Sequence, residues 1–114
     1  MRYIDFEKGA GPESLQISET DTPVAASGQV LVKVHAFGVN RADTLQRQGK
    51  YPPPPGESDI LGLEVSGEVT DVADDVTHWK VGDEVCGLVA GGGYAEFCPA
   101  AADICLPVPK GLDM

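Results

Sequence analysis

The sequence is poor in most features that mark secreted, membrane or nucleic-acid-binding proteins. No apolar stretch in its 114 residues approaches the roughly 20 needed to cross a bilayer. The opening Met-Arg-Tyr-Ile-Asp-Phe-Glu-Lys lacks the apolar run of a signal peptide. Basic residues are scarce: 8 Lys and Arg stand against 18 Asp and Glu, a formal charge of -10. Such a chain repels phosphate, which makes nucleic acid and anionic membranes poor partners. Cysteine is limited to Cys86, Cys98 and Cys105, an odd, sparse set that builds no disulfide framework and suits a reducing cytosol. The expectation is one soluble, cytoplasmic domain, since the length leaves room for a single modest core.

Chemical motifs are equally sparse. No Cys-x-x-Cys pair and no His-x₃₋₅-His occurs, so the sequence offers no paired ligands at structural-zinc spacing. Gly9-Ala10-Gly11 opens like a dinucleotide fingerprint, but Ser14 stands where the third glycine belongs. Gly91-Gly92-Gly93 lies between two strand-like runs with no helix behind it. A phosphate cradle needs backbone N–H groups at a helix start, and both glycine clusters read as turns. No serine sits in a nucleophile-elbow setting. Glu64 and Glu68 alternate with apolar residues and read as the wet face of a strand.

What the sequence has is glycine (14), proline (9) and short β-type runs. Strands are expected at 3–6, 14–19, 28–39, 60–72, 81–89, 94–98 and 103–106. The strongest is the third, where Val30, Val32, Val34 and Ala36 alternate with Gln29, Leu31, Lys33 and His35. Gly62 and Gly67 should bend or bulge the fourth. The fold class is mainly β, a barrel or sandwich. One helix is expected between Asn40 and Gly49. Asn40 is a good N-cap, Asp43 stands where a carboxylate reaches back in a capping box, and Gly49 is placed to end the helix in the left-handed conformation. Pro52 to Pro55 then forces an extended run. Tyr51, just before these prolines, is suited to stacking on a planar ligand or donating a phenolic hydrogen bond, although local chemistry alone favours a structural role.

The order and spacing of several motifs resemble the zinc-less quinone oxidoreductases (zeta-crystallin-like, p53-inducible quinone reductase type) of the medium-chain dehydrogenase/reductase superfamily. These motifs are G-x-N-x-x-D at Gly38, Asn40 and Asp43, and R-x-G-x-Y-P-P from Arg47 to Pro53. LGLEVSGEV follows from Leu61, VGDEVCGL from Val81 and GGGYAEF from Gly91. The resemblance covers essentially the whole chain. It implies a GroES-like β-barrel over residues 1–114, incomplete without C-terminal strands, with the dinucleotide-binding domain absent. It also implies hydride transfer from NADPH to quinones or α,β-unsaturated carbonyls, or to enoyl thioesters on the same scaffold.

Asn40 and Leu63 stand where zinc-bearing relatives carry cysteine and histidine ligands, so the resemblance implies no zinc. It places Asn40, Arg41, Asp43 and Tyr51 at the nicotinamide end of the cofactor, with Tyr51 and Asn40 as the catalytic candidates. Alone, the chain is expected to lack reductase activity, and its unpaired strand edges to favour a homo-oligomer. A reading from another class is a stand-alone GroES-like interaction module without catalysis.

Overall fold

The structure, a computed structural model, describes residues 1–113. A hairpin of β1 (Arg2–Asp5) and β2 (Gln16–Glu19) is joined through a short 3₁₀ turn at Pro12–Ser14. The main sheet contains β3 (Gln29–Phe37), β4 (Glu64–Val72), β5 (Glu84–Leu88), β6 (Phe97–Ala101) and β7 (Leu106–Pro107). Its order is β6-β3-β4-β5-β7, and every neighbouring pair is antiparallel. The helix α1 (Arg41–Arg47) lies between β3 and β4 in the chain. This is the mainly β architecture expected, with one short helix.

Alternation decides which face is buried. On β4, Val65, Gly67 and Val69 point inward while Glu64, Ser66, Glu68 and Thr70 take the wetter face. The core gathers Val30 and Val32 from β3 with Val69, Val85, Ala100, Ala102 and Cys105, and Val72, Val76, Trp79 and Val89 pack against it. The Trp79 indole N–H donates to Ala102 O at 2.9 Å, so the half-buried ring leaves no orphan donor. Gly67 is required at its place. A Cβ there would lie 2.1 Å from Lys33 O, and the β3–β4 register shifts nearby between Val34 and Ala36.

Most of the expected strands are shorter than their apolar runs, and three differ most. The fourth begins at Glu64 rather than 60, because Ile60–Gly62 pairs with Gly92–Tyr94 instead: Gly92 N–H donates to Ile60 O and Tyr94 N–H to Leu61 O, both at 2.8 Å. The run at 94–98 is split. Tyr94 O accepts from Ile4 N–H and Glu96 N–H donates to Arg2 O, so this end belongs to the β1 ladder, while β6 begins at Phe97 and continues through Pro99. β7 is two residues long and starts at Leu106.

The proline in β6 is tolerated for a geometric reason. Ala102 N–H to Gly28 O and Val34 N–H to Glu96 O are ladder bonds, so the alternation turns the Pro99 ring nitrogen away from β3. Pro107 in β7 faces outward in the same way, next to Val108 N–H donating to Glu84 O. Both outer strands of the sheet therefore present a ring where an edge N–H would be.

Candidate functional site

The helix start is built by local rules. Asn40 is extended (φ -122°, ψ 157°), as an N-cap should be, and its backbone N–H donates to Asp43 Oδ2 at 2.9 Å. The carboxylate arm of the capping box thus forms as its spacing predicts. At the other end Gly49 has φ +80°. Lys50 N–H donates to Leu45 O at 2.8 Å and Gly49 N–H to Gln46 O at 3.0 Å, the paired bonds of a Schellman ending. The loop from Lys8 to Ala10 closes the same terminus. Gly9 N–H donates to Arg47 O at 2.7 Å, and Arg47 Nη1–H donates to Ala10 O at 2.9 Å.

This helix buries polar groups. Its two buried residues are Asp43, at 2% exposure, and Gln46. Gln46 Nε2–H donates to Asp59 O at 3.2 Å, which ties α1 to the segment after the proline run. Asp43 Oδ2 also accepts from the Tyr94 hydroxyl at 2.7 Å. Asp43 Oδ1 is buried and has no partner among the described residues. The Tyr94 ring stacks on Phe37 with centroids 4.4 Å apart. Burial, reinforced by the hydrogen bond to Asp43 and its charge, raises the Tyr94 pKa far above its ordinary value, so the phenol stays a donor.

The four candidates thus fall in different settings. Arg41 and Tyr51 are exposed, Tyr51 at 47%, whereas Asn40 is half-buried. The Asp43 carboxylate turns inward. Sequence reasoning missed Tyr94, Phe37 and Gln46. The signal for Tyr94 was its place in the GGGYAEF motif, although nothing local joins it to Asp43, 51 positions away.

Two grooves border this region. One, of about 300 Å³, is lined by Tyr3, Ile4, Val34, Phe37 and Tyr94 among others. The other, of about 560 Å³, runs past Phe37, Gly38, Glu64, Cys86, Leu88 and Leu106. Phe37 is the wall they share. The two buried cysteines offer little reactivity. Burial, with a smaller contribution from Cys105, pushes the Cys98 thiol up to about 12, and burial with Cys86 raises Cys105. Among the described residues, no group of three or more His, Cys, Asp and Glu is gathered to hold a metal. Among them, too, no helix is long and apolar enough to cross a membrane.

Residues 26–110 match the alcohol dehydrogenase GroES-like domain, and the chain belongs to that family. Within it, the likeness runs to quinone oxidoreductases. The chain is 43% identical to the quinone oxidoreductase of Mus musculus over 115 residues, covering 99% of this chain and 35% of that protein. The quinone oxidoreductase of Coxiella burnetii superposes with a TM-score of 0.89 at 30% identity, covering 99% of this chain and 38% of the other. The Escherichia coli quinone oxidoreductase complexed with NADPH gives 0.88 at 35% identity, covering 99% and 35%. The chain therefore spans about a third of the length of these relatives.

Proposed function

We propose that this chain is the substrate-side domain of an NADPH-dependent quinone reductase, with the Asn40–Tyr51 segment facing the nicotinamide. The observation that carries the reading is the likeness to quinone oxidoreductases over 99% of the chain, one of them complexed with NADPH. The capped start of α1 supports it, because Asn40 and Arg41 are fixed by the fold rather than left in a loop.

The reduced nicotinamide supplies the hydride. The chain's own residues orient the acceptor and stabilise the negative charge that develops on its oxygen. Tyr51 and Arg41 are exposed and bear donors suited to that charge, and Asn40 offers an amide at the helix start. The glycine clusters lack the helix that a pyrophosphate cradle needs. Gly91 and Gly92 pack on Ser58 and lead into the β1 ladder, so pyrophosphate binding falls to a dinucleotide domain outside these residues.

The reading is zinc-independent. Asn40 and Leu63 cannot replace a thiolate and an imidazole as ligands. Three free thiols fit a reducing, cytoplasmic setting. The outward-facing prolines steer a homo-oligomer away from strand pairing and onto a face of the sheet.

Two measurements test the proposal. The 114-residue chain mixed with NADPH and a small quinone should show no turnover by absorbance, and turnover comparable to a full-length relative would overturn the division of labour. Replacing the first third of the mouse relative with this chain should preserve NADPH-dependent quinone reduction. A chimera that folds by circular dichroism yet reduces neither quinones nor enones would refute the assignment.

A further inference from the structure

We propose that Tyr94 is a positioning residue: its hydroxyl, acting through the Asp43 carboxylate, fixes the backbone N–H of Asn40 and so sets how the start of α1 is presented. What the positioned segment is for rests on the reading above; the positioning itself does not.

Tyr94 is a rigid post. Its N–H donates to Leu61 O at 2.8 Å and its O accepts from Ile4 N–H at 2.9 Å, which ties its backbone to two elements. Gly62 and Gly93 pass so close beside it that a Cβ on Gly62 would lie 2.6 Å from Gly93 Cα and from Tyr94 N. The stack on Phe37 holds the ring. From this post the hydroxyl reaches Asp43 Oδ2 at 2.7 Å, and the same oxygen accepts from Asn40 N–H at 2.9 Å. Tyr94, Asp43 and Asn40 form one chain of bonds that meets at a single oxygen.

Packing alone does not account for this arrangement. Asp43 is 2% exposed and its Oδ1 is left without a partner among the described residues, which costs desolvation that an apolar pair would avoid. A carboxylate does what an apolar pair cannot: it converts a fixed point on the 93–95 segment into a direction for the Asn40 N–H. The helix is seven residues long and its apolar residues, Ala42 and Leu45, are only half-buried, so its start depends on these bonds.

Amide hydrogen exchange on the 114-residue chain tests the proposal. Tyr94→Phe keeps the ring and its stack. It should speed exchange at Asn40 by at least about tenfold relative to Val69 in the sheet, whose N–H donates to Asp83 O. Asp43→Ala should do the same, and Asp43→Asn, which keeps an acceptor for Asn40, should recover most of the protection. Equal acceleration at Asn40 and Val69, or none at Asn40, would show a merely structural role. Equal effects of Asn and Ala at position 43 would also overturn the proposal.

In the chimera, Tyr94→Phe should lower kcat about tenfold and leave KM for NADPH within about twofold. Unchanged kcat alongside altered Asn40 exchange would refute the functional consequence. If the unsubstituted chimera is inactive, the reading above fails, and the exchange measurement still decides the positioning.

Discussion

The two ends of the main sheet are finished differently. At one end Val30, Val32, Val69 and Val85 are essentially inaccessible, and Trp79 covers them with its N–H satisfied. At the other, Phe37, Leu88, Ile104 and Leu106 stay 40–65% exposed along a groove. The same strands supply both ends, so strand propensity does not separate them; the loops and the tryptophan that close one end do. The helix and its candidate residues follow the C-terminal end of β3, on the open side. The sealed end holds the fold, and the open end has apolar surface to spare for contacts beyond these residues.

This contrast can be broken experimentally, starting with the largest effect. Gly62→Ala should destabilise the chain by about 3–4 kcal/mol, because the residue has φ +110° and its Cβ would strike the Gly93 backbone. Chemical denaturation checks it. Val69→Ala at the sealed end should cost about 2–3 kcal/mol through the cavity it leaves. Gly49→Ala, at φ +80° but with its Cβ no closer than 3.6 Å to Lys8, should cost about 1 kcal/mol. Leu88→Ala at the open end should stay within about 0.5 kcal/mol. If Leu88→Ala costs as much as Val69→Ala, the two ends are not distinct.

Alkaline pH sharpens the same comparison. Burial raises the Cys98 thiol to about 12, so the unfolded chain releases that proton first. The contribution is complete below the ordinary thiol range and is lost as pH rises through it toward about 12. Tyr94 adds the same sign from about pH 10 upward. Melting temperatures should therefore fall above about pH 9, and Cys98→Ala should flatten the slope. On the acid side the direction reverses. Arg2 lowers Glu96, and Ser27 with the Gly28 N–H lowers Asp75, so their contributions persist above the ordinary carboxylate range and are lost below it.

The helix was legible to the residue at its ends, because caps are written within four positions: Asn40, Asp43 and Gly49 each act on close neighbours. Strand existence was also legible from alternation, as at Val30 and Val32. The boundaries at Ile60 and Tyr94 were not. Those runs are apolar enough for strands, but their partners are each other and β1, which no local pattern specifies. Pro99 hid the rest of β6, since a proline is harmless there only on an outward-facing edge. Asp43 was legible as the capping carboxylate, but its second partner, Tyr94, lies 51 positions away and no local pattern joins the two.

By itself, the sequence determined the class of fold, the single helix with both its terminators, and the motif order that led to the family. These depend on periodicity and short-range hydrogen bonding, which any window of the chain contains. Tertiary structure alone decided that Asp43 faces Tyr94 instead of solvent, that α1 is docked by polar bonds, and that one end of the sheet is closed while the other is open. Each of these is a matter of which distant backbone passes beside which. The packing of the sheet, the hairpin and the loops against one another fixes that, and neither partner carries it alone.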